Sequence, residues 1–189
     1  DKDSINFSGV TKSLTFNFGS DKTVLVADAF TNTMRVARIV DSDGNATGIG
    51  SIENVRGGKG DDTFVFNDGW GQYTITSAGI IDNDTLDFSR VTKDLTFTIH
   101  DDGTVSVADT SGNTLGQSIG IERILGGQGN NRFVFDNLGY IDGYIIGGTG
   151  VGKINTLDYS ALTFLVEIDL SGMGVGQHIG RASGVNGIL

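Results

Sequence analysis

A six-residue motif, which we call the repeated line, occurs three times in this chain. It reads DSINFS at residues 3–8, DTLDFS at 84–89 and NTLDYS at 155–160. The first two copies continue without a gap, since residues 3–33 can be set against residues 81 positions later. A chain that repeats itself at this length is built from stacked units, each burying its apolar face against the next. Repetition therefore constrains this fold more than any single motif, and it favours binding spread along an axis over one active centre.

A second repeated segment is rich in glycine. Residues 52–66 read IENVRGGKGDDTFVF and residues 121–135 read IERILGGQGNNRFVF, at an offset of 69. The offset of 69 is 12 residues shorter than the offset of 81 between the first two copies of the repeated line. The earlier copy therefore carries an insertion, around residues 34–51. An eroded third block, GGTG, stands at 147–150. Insertions at turns are how the units of a repeat protein differ in length.

These repeats divide the chain into three units of one continuous array. Unit 1 covers residues 1–80, unit 2 covers 81–152, and unit 3, which is truncated, covers 153–189. Residues 187–189 align with residues 123–125, just before the glycine block of unit 2. We therefore expect the chain to be a segment of a longer array.

Short runs of alternating apolar and polar residues follow the first line in each unit. Leu14, Phe16 and Phe18 alternate with polar residues, and the alternation recurs at 95–99 and 166–170. A period of two predicts strands with one buried face. Turn residues, GSD at 19–21 and DGT at 102–104, lie between such runs and predict turns, and no segment has a sustained helical period. The sequence predicts an all-β fold, and leaves open whether the strands wind as a parallel coil or form hairpins stacked in a row.

Composition excludes several classes of function. The chain has 30 glycines and no proline, which indicates tight turns between strands and not a disordered linker. A net charge of −10 disfavours nucleic acid as a partner. The absence of cysteine excludes disulfides and thiolate metal sites, and no apolar stretch is long enough to span a membrane. Aspartates in turns offer the oxygen ligands that calcium prefers.

The glycine block of unit 1 fits a nonapeptide pattern. Residues 57–65 read GGKGDDTFV, which matches G-G-x-G-x-D-x-U-x, with U a large apolar residue, at every defined position. Residues 126–134 read GGQGNNRFV and depart from it at Asn131. These blocks resemble the RTX, or haemolysin-type calcium-binding, repeat family. The resemblance implies a repetitive solenoid, a right-handed parallel β-helix or β-roll, here with hairpin insertions, in a large secreted bacterial protein.

The resemblance also implies calcium ligands between neighbouring turns. Asp62 would supply the carboxylate, while Asn131 would supply an oxygen without charge. Family sites draw on several nonapeptides in tandem, whereas the two blocks here lie about 70 residues apart. The alternative is that the blocks turn the chain without an ion. The candidate ligands are Gly58, Gly60, Asp61, Asp62, Asn130 and Asn131.

Other polar and aromatic residues have plainer interpretations. The run DSDGN at 41–45 lacks the glycine and glutamate positions of an EF-hand and is interpreted as a hairpin turn. Asp87, Asp158 and Asn6 occupy one position of the repeated line, where short polar side chains bond backbone groups in turns. Trp70 is interpreted as a packing residue, with sugar stacking as the alternative.

We expect no catalysis from this chain. Its two histidines, His100 and His178, stand at unmatched positions of the repeat, and no catalytic motif is recognisable. The leading hypothesis is a structural, calcium-stabilised repeat region of a large extracellular bacterial adhesin-like protein, located at the cell surface. Its partners would be neighbouring repeats of a longer chain, with surface glycans or other cells as targets. The alternatives are a carbohydrate-binding β-helix module and a β-helix enzyme that acts on polysaccharide.

Overall fold

The computed structural model describes residues 3–21, 23–30, 32–36, 52–163, 166–169 and 181–184. These residues form 17 β-strands and no helix, which confirms the all-β prediction. The loop predicted at 41–45 lies outside the described residues. In chain order the strands are β1 (Asp3–Asn6), β2 (Leu14–Phe18), β3 (Val24–Asp28), β4 (Thr33–Val36), β5 (Ile52–Arg56), β6 (Thr63–Asn67), β7 (Gln72–Thr76), β8 (Thr85–Arg90), β9 (Leu95–Ile99), β10 (Val105–Asp109), β11 (Thr114–Ser118), β12 (Arg123–Leu125), β13 (Asn131–Phe135), β14 (Tyr144–Ile146), β15 (Thr156–Asp158), β16 (Val166–Asp169) and β17 (Arg181–Gly184).

The strands form two mixed sheets, neither of which closes into a barrel. Sheet I has the order β1-β5-β7-β11-β10-β9-β13-β15, and sheet II has the order β14-β12-β8-β6-β2-β3-β4. The remaining strands, β16 and β17, form an antiparallel pair. No helix in the described part of the chain is long and apolar enough to cross a membrane.

Outside two three-stranded meanders, consecutive strands alternate between the two sheets, and strands such as β5 and β6 pair in parallel with the strand two places on. β5 and β7 lie in sheet I, where Val55 faces Ile75, while β6 and β8 lie in sheet II, where Phe64 faces Leu86. Parallel strands need a crossover connection, and here the crossover is the passage through the opposite sheet. Antiparallel pairing enters through two meanders, β2–β3–β4 in sheet II and β9–β10–β11 in sheet I.

Units 1 and 2 each contribute seven strands among the described residues, and this odd number places equivalent strands in opposite sheets. The strands β1–β7 of unit 1 correspond in sequence to β8–β14 of unit 2. The meander is in sheet II in unit 1 and in sheet I in unit 2, and β5 and β12 likewise lie in different sheets. Unit 2 therefore has the pairing pattern of unit 1 with the two sheets exchanged.

The predicted turns close the two meanders at equivalent positions. Asp21 accepts a hydrogen bond from the backbone N–H of Thr23 at 3.1 Å, and Asp102 accepts one from Thr104 at 3.0 Å. Gly103 has φ +77°, a conformation that glycine adopts without a steric penalty. The hairpins at 19–21 and 102–104 are therefore confirmed as local products of the same turn chemistry.

The core lies between the apolar faces of the sheets and is dominated by aromatic side chains. In sheet II, Phe66 stacks between Phe18 and Phe88, with ring centroids 4.6 and 4.2 Å apart. The sheets meet where Phe88 contacts Phe97 at 5.3 Å. Trp70 is fully buried against this stack, so its interpretation as a packing residue is confirmed.

Candidate functional site

The glycine block of unit 1 carries the chain from sheet I to sheet II and is closed by Asp62. Both carboxylate oxygens of this fully buried side chain accept backbone hydrogen bonds, from Gly58 at 2.5 Å and from Leu14 at 2.8 Å. A Cβ atom on Gly60 would lie 2.7 Å from the backbone nitrogen of Ser13, so the block can approach the 10–14 segment this closely only with glycine. Asp62 thus fixes the turn and ties it to the neighbouring pass of the chain.

The glycine block of unit 2 repeats this closure at the opposite edge of the sheets. It carries the chain from sheet II to sheet I, and Asn131 Oδ1 accepts the N–H of Gly127 at 3.2 Å. Its Gln128 N–H donates to Val91 O at 2.7 Å, just as Lys59 N–H donates to Val10 O at 2.8 Å in unit 1. Because the two blocks lie at opposite edges, they contact other turns and not each other. A shared ion between them has no geometric basis.

Four aspartates are replaced by asparagine at the equivalent position one unit later in the chain, and each pair keeps a backbone N–H contact in common. The Leu14 N–H that Asp62 accepts is the exception, because the equivalent Leu95 N–H donates to the backbone oxygen of Asn130. Asp61 Oδ1 accepts the N–H of Asn83 at 3.0 Å, and Asn130 Oδ1 accepts that of Ile154 at the same distance. An amide oxygen thus replaces a carboxylate oxygen without loss of the contact. The four replacements are Asp61 by Asn130, Asp62 by Asn131, Asp68 by Asn137 and Asp84 by Asn155.

The repeated line contributes a further polar position whose role is also preserved. Asp87, Asp158 and Asn6 each accept, through Oδ1, the backbone N–H of the serine two residues on, at 2.8, 2.9 and 2.9 Å. The prediction that these side chains bond backbone groups in turns is confirmed at all three positions.

Three acidic residues of successive turns form a hydrogen-bonded series that we call the carboxyl column, Asp62, Asp84 and Glu122. The N–H of Asp62 donates to Asp84 Oδ1 at 2.7 Å, and the N–H of Asp84 donates to Glu122 Oε2 at 2.7 Å. In unit 1 the equivalent pair makes the same contact as Asp84 and Glu122, because the N–H of Asp3 donates to Glu53 at 2.9 Å. The carboxyl column therefore joins three passes of the chain at one edge.

The carboxyl column is electrostatically unfavourable when ionised. Burial raises the pKa of Asp84 to about 7, the nearby Ser77 hydroxyl opposes the shift in part, and the charges of Asp82 and Asp62 add to it. Burial likewise raises the pKa of Asp62 and of Glu122. Asp84 Oδ2 and Asp82 Oδ2 are buried without a hydrogen-bond partner. Unpaired buried carboxylate oxygens favour a proton or a cation over the bare charge.

The donor set fits calcium only in part. Oxygen ligands and negative charge are present at the first block, and the unpaired oxygens of Asp82 and Asp84 lie at the same edge. Both oxygens of Asp62, however, already accept N–H groups, and the described residues contain no group of three or more His, Asp or Glu side chains placed to hold a metal ion. At the second block the Asn131 amide nitrogen faces the carbonyl oxygens of Gly127, Gly129 and Gly147 at 2.8–3.1 Å. An N–H there occupies the position that a cation would need.

Sequence reasoning did not single out Asp84 or Glu122 as site residues. Their signal was present, because Asp84 opens the repeated line and Glu122 belongs to the segment before the glycine block. Sequence reasoning also gave no role to His100, which contacts Asp136 and Ser106. Of the candidate ligands, the structure brings together Gly58, Gly60, Asp61 and Asp62 in one turn and Asn130 and Asn131 in another.

No protein-family model, no curated protein sequence and no solved structure matches this chain. The geometry of the chain itself therefore has to carry the functional argument.

Proposed function

We propose that this chain is a structural repeat segment of a large extracellular bacterial protein of the adhesin type. One observation carries the proposal: the glycine blocks of units 1 and 2 keep the same turn-closing backbone contact while their acids change to amides. Gly58 and Gly127 bond Asp62 and Asn131 in the same way. A catalytic or ligand-binding site requires particular functional groups, whereas a repeat that serves as a spacer requires only that its backbone geometry be kept. The partners on this proposal are neighbouring units of the same kind.

We further propose that the strands wind as a right-handed parallel solenoid of the RTX β-roll type, with the two meanders as insertions. Two facts support this: successive strands alternate between the sheets, and they pair in parallel at separations of 20 and 22 residues, as Val55 with Ile75 and Phe64 with Leu86 show. Right-handed crossovers are the rule for parallel pairs.

Duplication of one unit tests the structural proposal. A second copy of residues 84–154, inserted before Asn155, adds seven strands. At about 4.8 Å per strand and three to four strands per sheet, the longest dimension in small-angle scattering should increase by roughly 15–20 Å. The circular dichroism signal per residue should stay unchanged. A flexible Gly/Ser insertion of the same length is the control, and an insert that fails to add folded signal would count against the proposal.

Calcium enters this proposal as an accessory at the first block. Its support is the acidic carboxyl column, because burial and the neighbouring charge of Asp82 raise the pKa values of Asp62, Asp84 and Glu122. A cation that binds the folded state alone would stabilise it by mass action. Melting should be compared in chelator and in calcium for the native chain and for Asp62→Asn, which installs the residue of unit 2. An unchanged melting temperature in the native chain would reject calcium and leave the repeat proposal intact.

A further inference from the structure

Three side chains of unit 2 form a hydrogen-bonded relay that the repeat does not require. His100 Nδ1 lies 2.8 Å from Asp136 Oδ2, and His100 Nε2 lies 2.9 Å from Ser106 Oγ. A carboxylate only accepts hydrogen bonds, so with Asp136 ionised Nδ1 is the protonated nitrogen. In a neutral imidazole Nε2 is then the acceptor, and it accepts the hydroxyl hydrogen of Ser106. This is the order of contacts found in a serine, histidine and aspartate triad.

Comparison with unit 1 shows that the fold does not demand these residues. The positions of His100 and Ser106 correspond, at an offset of 81, to Gly19 and Leu25. The position of Asp136 corresponds, at an offset of 69, to Asn67. Three positions at which unit 2 differs from unit 1 are thus brought into contact by the fold. Chance or packing alone gives no reason for three such departures to have matching chemistry.

Backbone contacts hold the three residues in place. Asp136 N–H donates to Ile99 O at 2.9 Å, which sets it beside the end of β9, and His100 N–H donates to Thr104 O at 2.9 Å in the hairpin turn. Ser106 is paired with Thr98 across β9 and β10. The sheet therefore positions each side chain before any substrate arrives, as a catalytic arrangement requires.

The site is open to solvent and lies beside an irregularity in the sheet. Val105 and Val107 are buried, so Ser106 between them points to the outer face of sheet I, where it is half-buried. The side chains of His100 and Asp136 are 21% and 44% exposed. The register of β10 against β11 shifts at Ser106, and such bulges commonly re-aim a side chain next to an active site.

We propose that Ser106 is an activated nucleophile that accepts acyl groups from small esters with good leaving groups. Ser106 Oγ attacks the carbonyl carbon and His100 Nε2 takes its proton. The bond to the leaving oxygen then breaks, that oxygen receives the proton, and an acyl ester remains on Ser106. Water repeats the sequence, releases the carboxylic acid and restores the hydroxyl. Ser106 and His100 are the catalytic residues, and Asp136 is a positioning residue that fixes the tautomer and orients the ring.

The open strand face is the reason for the choice of substrate class. A large substrate needs a pocket to bury it, whereas a small activated ester needs only access to the nucleophile. This activity is independent of the proposed role as a repeat segment, because it belongs to residues that unit 1 lacks.

The test is acylation by p-nitrophenyl acetate and labelling by a fluorophosphonate, with the modified residue located by peptide mass spectrometry. The native chain should release p-nitrophenol and carry the label on Ser106. Ser106→Ala should abolish both signals. His100→Gly should lower the rate by about 10²–10⁴-fold, the usual contribution of a general base, and added imidazole should restore part of it. The pH profile of the native rate is recorded as the reference for the variants.

Matched variants separate activation from folding. Unit 1 has Gly19 at the position of His100 and Asn67 at the position of Asp136, so the repeat fold accommodates His100→Gly and Asp136→Asn. Circular dichroism checks that both variants are folded. Asp136→Asn should lower the rate and alter the pH profile, while Ser111→Ala should leave the rate unchanged. Label spread over several serines, or a native rate equal to that of Ser106→Ala, would overturn the proposal.

Discussion

The glycine blocks of units 1 and 2 differ in charge far more than in shape. Asp62 and Asn131 each close a turn by accepting the equivalent glycine N–H. Each also donates its own N–H to the side chain that opens the next repeated line, Asp84 or Asn155. Unit 1 has carboxylates that repel one another, whereas unit 2 has amides that also donate. The comparison shows that this turn needs a side-chain acceptor and does not need its charge. The negative charge of the glycine block in unit 1 is therefore not needed to form the turn.

The largest expected effect concerns the core that the two units share. Phe66 is fully buried and stacks on both sides, against Phe18 and Phe88, whereas Phe135 is 6% exposed and stacks on Tyr159 at 4.5 Å. Phe66→Ala should lower the free energy of unfolding by about 3–5 kcal/mol, since it leaves a cavity with partners on two sides. Phe135→Ala should cost less. Urea unfolding measures both, and an equal or larger loss for Phe135→Ala would contradict the difference in packing.

Removal of the acceptor in unit 1 should have the next largest effect. Asp62→Ala leaves the buried N–H groups of Leu14 and Gly58 without a partner and should cost about 2–4 kcal/mol in free energy of unfolding. Asp62→Asn keeps the acceptor for one of these two N–H groups and places an amide nitrogen beside the other, so it should cost less than Asp62→Ala. Denaturant titration compares the two variants. Equal losses would mean that the turn of unit 1 depends on charge, against the comparison of the two blocks.

The pH dependence of stability should belong to the carboxyl column. Burial raises the pKa of Asp84 to about 7 in the folded chain, above the ordinary aspartate value of 3.8. The folded state then binds a proton more tightly than the unfolded state. Its contribution to stability is complete below about pH 4, declines between pH 4 and 7, and is lost above pH 7.

Asp84→Asn, which installs the residue found at the equivalent position of unit 3, Asn155, removes this titration. At pH 8 it should stabilise the fold by on the order of 1–3 kcal/mol, with a melting temperature several degrees higher, while at pH 4 it should have little effect. Thermal melting at a series of pH values measures the difference between the two curves. Parallel curves for the native chain and the variant would show that Asp84 does not carry the pH dependence.

The smallest effect is expected at an exposed position with the same replacement. Asp68 Oδ1 accepts the N–H of Thr92 at 2.8 Å, and Asn137 accepts that of Thr163 at 3.0 Å. Asp68→Asn should change the free energy of unfolding by less than about 0.5 kcal/mol at any pH, since the contact is exposed and the amide preserves it. This variant is the matched control for Asp84→Asn. A large shift would mean that surface charge itself, not the carboxyl column, governs the stability of unit 1.

Local features of this chain were predictable, and pairings between distant passes were not. The alternation of Leu14, Phe16 and Phe18 predicted β2 and its buried face because strand periodicity is a local property. The turn at Gly103 was readable for the same reason. The placement of β2 and β9 in opposite sheets depends on counting every strand between them, including those that lack a clear signal.

The same limit applies to the candidate site. Asp62 was predictable because the glycine motif surrounds it in sequence, but its bond to Asp84 joins residues of successive passes. The burial that raises the pKa of Asp84, and the unpaired oxygens beside it, arise only when those passes stack. The contact of His100 with Asp136 spans 36 residues and has no local signature.

Seven strands per unit give the array a parity. A partner that binds one broad face of the array would meet the same residues only at every second unit, since the intervening unit presents them on the reverse side. Gain or loss of a single unit would turn all later units over relative to that partner, while gain or loss of two would leave their facing unchanged. The shortest segment that can be exchanged without consequence for orientation is therefore a pair of units.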